Sequence, residues 1–342
     1  MWDPDANISA LLEEFYPAFY GPAAAPMARY WSRIFDAWER TNVTEHEYLA
    51  IPAIYTPALV EDLRTDLTAA EASLRSLAPD SGDAAIFEER MRFTRASFEV
   101  IDTYVATALA AARDADYASA VTAGNKALEA QASLRALNPL FVSGLIGVED
   151  QTAWLAGEIQ QYKELSALMD GSKGTLVQRL PLKWSFKVEK PLAAGWRYEG
   201  PEGPVPVGHD LLAAEEPSSA SGWRDVLTSL YLQGQGVTAP DGQSQLGHYW
   251  YRTVVNIGRS DSEAKLRLNF PGLFNEAWLY INGRLVAHRA YKEPWWRTNY
   301  NFKWDVDVSG HLRPGPNEIA LRGFNAHHWG GIFRRPFMHR PR

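Results

Sequence analysis

Hydrophobic positions recur every three to four residues through the first half of the chain and every two residues through the second, so the chain changes secondary structure near its middle. Asn7 or Ser9 is placed to cap a first helix whose apolar stripe is Leu11, Leu12, Phe15 and Phe19, and Gly21-Pro22 breaks it. A second helix is predicted from about Ala23 to Arg40, with Met27, Tyr30, Trp31, Ile34 and Trp38 on one side. Residues 41–56, punctuated by Pro52, are expected to be irregular. Pro57 then opens a helix reaching Ala78, with Leu59, Leu63, Leu67, Ala70, Leu74 and Leu77 on one face. Phe87, Met91, Phe98, Ile101 and Val105 mark the next helix. Another runs from Asp114–Asp116 to Leu137, where Asn138-Pro139 ends it, and Glu149 to Met169 reads as the last.

Beyond Asp170-Gly171-Ser172-Lys173-Gly174, a small, polar and flexible link, the period becomes two. Leu266, Leu268 and Phe270 alternate with Arg267 and Asn269, and Trp304, Val306 and Val308 alternate with Asp305 and Asp307. Ile319 and Leu321 alternate with Ala320 and Arg322, so one face of each strand is expected to be buried. The best-defined stretch is Asn275 to Tyr291. There Ala277, Leu279 and Ile281 alternate with Trp278 and Tyr280, meet Asn282-Gly283, and leave through Leu285 and Val286. Asn-Gly supplies the positive φ at both central positions that a two-residue hairpin needs. The predicted class is α+β multidomain: an N-terminal all-α helical bundle over residues 1–170, a linker at 171–174, and an antiparallel β-sandwich over 175–342. Residues 199–222, rich in Gly, Pro, Ser and Ala, are expected to form a surface loop.

The strand motifs carry a family resemblance. Trp250-Tyr251-Arg252, Leu266 to Phe270, Glu276 to Gly283, Pro314 to Leu321 and Gly330-Gly331-Ile332-Phe333-Arg334, in that order, resemble the galactose-binding-like jelly-roll domain of family 2 glycoside hydrolases. Leu180 to Lys187 is similar to the opening strand of that sandwich, and Trp196 and Trp223 to its two tryptophan positions. At the N-terminus, Trp2-Asp3-Pro4-Asp5 and Glu14-Phe15-Tyr16 to Ala24, with Met27 and Tyr30-Trp31, resemble the helical segment after the catalytic barrel in bacterial α-glucuronidase-like proteins. The resemblance implies the C-terminal part of a larger glycoside-hydrolase-like protein involved in polysaccharide degradation. It also implies a carbohydrate ligand and a (β/α)8 barrel domain or chain as partner.

Composition narrows the chemistry. Without cysteine there are no disulfides, thiolate zinc sites or cysteine nucleophiles. No apolar run approaches the roughly 18 residues of a membrane span, and no basic region followed by an apolar core opens the chain. The sequence as it stands therefore predicts a soluble protein without an export signal, and a secreted parent protein is compatible with it. Residues 1–172 hold 12 Lys+Arg against 26 Asp+Glu, whereas residues 173–342 hold 22 against 15. The basic residues of the second half are scattered along alternating strands as a solvated face, so no nucleic-acid partner is expected.

A glycosidase needs two carboxylates flanking the scissile bond. The barrel whose strand ends supply them in related enzymes leaves no repeating strand–helix signature here. Nor is there a G-x-S-x-G elbow, a phosphate loop or an H-E-x-x-H helix. The sequence thus favours a non-catalytic chain. One alternative is a hydrolase with an unrecognised site at the domain junction, using Glu215 or Glu216 with an N-terminal acid. The other is a purely structural or assembly module. No cofactor is expected, although Asp305-x-Asp307 offers oxygen ligands of the kind a structural calcium ion accepts. The candidate binding surface is aromatic, since sugars stack their C–H faces on flat rings while polar neighbours take the hydroxyls. Tyr291, Trp295, Trp296 and Arg297 in one loop, and His328 and Trp329 in another, offer both chemistries. The competing reading is that these rings simply pack in the sandwich or against a partner.

Overall fold

A computed structural model describes residues 6–41, 47–77, 82–140, 155–189, 222–239, 242, 245–274, 276–290, 302–325 and 330–342. Helices come first and antiparallel sheets follow, giving an α+β architecture. The chain divides into two compact units. One comprises residues 1–41, 51–106 and 123–146, and the other comprises 42–50, 107–122 and 147–342.

In the first unit, α1 (Ile8–Tyr20) is capped by the Asn7 side chain on the Ala10 amide, α2 spans Ala24–Glu39, and α4 (Pro57–Leu74) is capped by Thr56. On α1 the buried positions are Tyr16 and Tyr20 and the expected stripe faces outward, with Leu11 52% and Phe15 43% exposed, whereas Met27, Tyr30 and Ile34 on α2 and Leu63, Leu67 and Ala70 on α4 are buried at the spacings that the sequence pattern predicts. Asp66 is buried among them and takes hydrogen bonds from Arg29 Nε (2.9 Å) and Arg33 Nε (2.8 Å). One segment departs from expectation: Glu47–Ile54 forms a short helix, α3, despite Pro52. Proline removes one helical hydrogen bond, and burial of Ile54 and of the adjoining Tyr55 outweighs that loss. α5 spans Gly82–Ala108 and runs into a π-helical turn, Leu109–Arg113. α6 (Tyr117–Leu137) begins in the second unit and runs into the first, and α7 (Leu155–Ala167) lies in the second.

In the second unit a six-stranded sheet has the order β3-β2-β4-β10-β7-β8 and a four-stranded sheet the order β1-β12-β5-β9. The six strands are β2 (Lys183–Val188), β3 (Arg224–Leu227), β4 (Gly247–Ile257), β7 (Glu276–Ile281), β8 (Arg284–Arg289) and β10 (Gly315–Asn325). The four are β1 (Gly174–Arg179), β5 (Arg267–Phe270), β9 (Trp304–Asp307) and β12 (Phe337–Pro341). β6 (Gly272–Phe274) and β11 (Gly331–Arg334) form a separate pair. Trp184, Phe186, Tyr249, Tyr251, Leu279 and Leu321 from the larger sheet meet Leu268, Phe270, Val306 and Met338 from the smaller in one core. The turn between β7 and β8 has Asn282 at φ 50° and Gly283 at φ 76°, as a two-residue hairpin requires.

On the far side of the smaller sheet, Phe337 packs with Tyr117, Tyr162 and Leu165, so α7 and the start of α6 belong to the same compact unit as the strands. Arg334 joins this layer, donating to Glu158 Oε1 at 3.0 Å with its guanidinium over the Tyr162 ring. The Asp170–Gly174 segment is a hydrogen-bonded turn: Gly171 N donates to Gly174 O at 2.8 Å and Lys173 N to Ala167 O at 2.8 Å.

Candidate functional site

Tyr291, Trp295, Trp296, Arg297, His328 and Trp329 lie outside the described residues, as do Glu215 and Glu216. The residues that bracket the two aromatic loops are described, and they come together. Arg289, at the end of β8, donates to Phe302 O (3.2 Å) and Leu273 O (2.6 Å), so the described residues on either side of 291–301 are held together. Phe274 pairs with Gly331, which follows residues 326–329 in the chain. Tyr249 bridges the two: its hydroxyl donates to Phe274 O at 2.7 Å and accepts from Gly331 N at 3.2 Å. The Tyr251 hydroxyl accepts from Ile332 N, and Gln233 Oε1 from Gly330 N. Gly331, at φ 91°, and Gly323 leave room for these tyrosines, since a Cβ on Gly331 would lie 2.3 Å from the Tyr251 hydroxyl and one on Gly323 2.2 Å from the Tyr249 ring, both far inside van der Waals contact. Burial pushes both tyrosine hydroxyls above the usual phenol range. Burial also lowers the Arg289 guanidinium to about 10, with Tyr249 pulling it weakly upward.

The same end of the larger sheet gathers further connections. Asn325 of β10 pairs with Gly247 of β4, Phe324 with both His248 and Glu276, and Ala277 with Arg289. Glu189, which follows β2, donates its backbone N–H to His248 O. Residues 189, 247, 276, 289 and 325 therefore lie together along one edge.

Behind that edge, the sheet face turned away from the core carries a buried row of charge and aromatic rings. Arg322 donates through Nε to Glu189 Oε1 (2.7 Å) and through Nη2 to Oε2 (3.0 Å), a bidentate pair. Trp250 Nε1 donates to the same carboxylate at 2.6 Å. The Arg322 guanidinium sits 4.7 Å from the Trp278 ring centroid, and on the next strand His288 stacks on Trp278 at 4.8 Å and 8°. His288 Nε2 lies 2.9 Å from Glu276 Oε1. Burial works to raise the Glu189 carboxyl, but the hydrogen bonds and charge of Arg322, with His248 and Trp250, outweigh it and hold the group below the usual carboxylate range. Glu276 is wholly buried and its Oε2 has no hydrogen-bond partner.

Strand-by-strand alternation predicts one buried face, yet every residue of β7 is buried. The physical reason is lateral: Trp250, Trp278, Tyr280 and Arg322, all outward, are large enough to cover one another across strands. The available sequence signal was the aromatic and guanidinium side chains at outward positions of β4, β7 and β10, where a solvated face would carry small polar groups. Glu189 and His288 carry no motif, and Glu276 and Arg322 enter the sequence pattern only as strand positions, so none of the four reads as a site residue.

On the smaller sheet, Asp305 accepts from Arg267 Nε and from Asn269 Nδ2 (3.2 Å), and pairs with the buried His339 at 3.0 Å. Asp307 accepts from the Ser309 amide at 2.9 Å. Both carboxylates are thus engaged by protein donors, and no cluster of three or more His, Asp or Glu suited to a metal ion occurs among the described residues.

No family model matches the chain. Over 90 residues, 26% of this chain and 8% of the relative, it is 30% identical to a putative β-glucuronidase of Formosa agariphila. Among solved structures it is similar to the β-glucuronidase of Ruminococcus gnavus in complex with D-glucaro-d-lactam, at 13% identity over 50% of this chain and 30% of that one, TM-score 0.37. It is likewise similar to a β-glucuronidase of an uncultured Clostridium sp., at 14% identity over 51% and 30%, TM-score 0.35. A third is the Faecalibacterium prausnitzii enzyme, at 12% identity over 48% and 31%, TM-score 0.34. The chain spans under a third of the length of each of these proteins. The sequence similarity is to a glycoside hydrolase and is confined to part of the chain.

Proposed function

We propose that this chain is a non-catalytic part of a glycoside-hydrolase-like protein. In this reading its galactose-binding-like sandwich binds carbohydrate through the two aromatic stretches, 291–297 and 328–329, beside a catalytic barrel in the same or another chain. The observation that carries it is the bracket around those loops. Arg289, Phe274, Tyr249 and Gly331 fix the departure and return points of both loops within one hydrogen-bonded cluster. The described residues on either side of these stretches are thus fixed in place, and a preorganised site loses little entropy on binding.

A glycan array probed with the intact chain and with Trp295→Ala and Trp329→Ala, each verified as folded by circular dichroism, tests the reading. Retention of one glycan class that falls with either substitution is the expected result. No retention by the intact chain overturns carbohydrate binding. A change in oligomeric state on replacing Trp295 and Trp296 would instead assign the loops to an assembly surface.

A further inference from the structure

We propose that His288 is a sugar-contacting side chain of this edge, a role that rests on the carbohydrate-binding reading and adds a residue outside the two aromatic loops. Glu276 is 0% exposed, and among the described residues one of its oxygens has no partner and the other bonds His288 alone. A buried polar atom without a hydrogen bond costs about 1–3 kcal/mol, so this carboxylate is not explained by stability. What it does achieve is orientation. A carboxylate accepting from Nε2–H leaves Nδ1 as the acceptor of the neutral ring, while parallel stacking on Trp278 fixes the ring plane.

The imidazole held so firmly is nevertheless at the surface, with 35% of its side chain exposed. One face lies on Trp278 and Nε2 lies on Glu276, which leaves the other face and the Nδ1 edge without a described ring or hydrogen-bond contact. No described residue hydrogen-bonds Nδ1. A flat ring with one fixed acceptor at its rim suits a pyranose, whose C–H face stacks while an adjacent hydroxyl donates. Because the ring is already immobilised by two buried neighbours, a ligand meets little ordering cost there. Position agrees: His288 stands on β8, whose only partner among the described residues is β7, and three residues ahead of Tyr291.

Two substitutions separate contact from support. His288→Gln places an amide donor where Nε2 was, preserving the bond to Glu276, but removes the Nδ1 acceptor and the ring. His288→Asn places an amide oxygen near the Nδ1 position and gives up the bond to Glu276. On the glycan array, His288→Gln is expected to melt close to the parent chain and to bind about tenfold more weakly, with His288→Asn binding better than His288→Gln. Parent-level retention by His288→Gln overturns the assignment and leaves the carbohydrate reading standing. Absence of retention by the parent chain itself overturns both. If either variant does not fold, side-chain nitrogen chemical-shift mapping of the histidine rings in the parent chain with the retained glycan replaces it: the His288 imidazole nitrogens must shift on binding, and unchanged nitrogens overturn the assignment.

Discussion

Arg322→Met isolates the buried ion pair behind the loop edge. Arg322 is 1% exposed and gives both of its described carboxylate bonds to Glu189, whose side chain is 16% exposed. Removing the guanidinium leaves a largely buried carboxylate with the Trp250 N–H as its chief donor, and breaking such a pair costs about 3–5 kcal/mol. For a unit of this size that is a fall in Tm of roughly 6–20 °C. Glu189→Gln in the Arg322→Met background removes the stranded charge, so the double variant should recover part of the loss, with a coupling of about 1.5–3 kcal/mol in a urea-denaturation cycle. The pH dependence has a fixed sign. Glu189 is held below its ordinary range in the fold, so its contribution is complete above the unfolded carboxylate value of about 4.3 and is lost as the pH falls through the lower folded value. The stability difference between the parent chain and Glu189→Gln should therefore be flat above about pH 5 and shrink below about pH 4. A cost under 1 kcal/mol for Arg322→Met, or strict additivity in the cycle, would refute the reasoning.

Tyr249→Phe removes the hydroxyl that joins Phe274 O to Gly331 N and should cost about 1–3 kcal/mol; faster hydrogen exchange at the Gly331 amide is the local check. Gly323→Ala drives a methyl to within 2.2 Å of the Tyr249 ring and should cost about 1–3 kcal/mol through overpacking, read as a lower urea midpoint. Asn317→Ala deletes a buried amide that accepts from Arg313 N and Asn282 Nδ2 and donates to Arg313 O and Gly315 O. It should cost about 2–3 kcal/mol and loosen the Asn282-Gly283 turn, visible as broadened amide resonances there.

The fold was legible where the pattern is repetitive. Leu59, Leu63, Leu67 and Ala70 at helical spacing, and Asn282-Gly283 between two alternating runs, each have one structural solution. Less legible was what long-range pairing decides. Pro52 argues against a helix locally, and only the burial of Ile54 and Tyr55 reveals one. The turn at residues 170–174 reads as a flexible link because Gly, Ser and Lys are what flexible links contain, yet the same residues close a hydrogen-bonded turn onto Ala167. At the candidate site, aromatic residues announced themselves by composition. Their supports did not, because Glu189 and Arg322 are 133 positions apart and meet only through the order of strands β2, β4 and β10.

Two carboxylates at this edge illustrate how burial alone fails to define a role. Glu189 receives two bonds from Arg322 and one from Trp250, a satisfied arrangement in which loss of any partner is destabilising. Glu276 is more deeply buried and has a single described bond. Replacing it with Gln keeps an oxygen that can accept from His288 Nε2–H and exchanges an unpaired carboxylate oxygen for a neutral amide. Glu276→Gln should therefore leave stability within about 1 kcal/mol of the parent chain or raise it, in contrast with Arg322→Met. Glycan retention should persist, because the imidazole keeps its orientation. Equal destabilisation by the two substitutions in the same urea series would mean that Glu276 supports the fold rather than the ring, and would remove the reason for assigning His288 to a ligand.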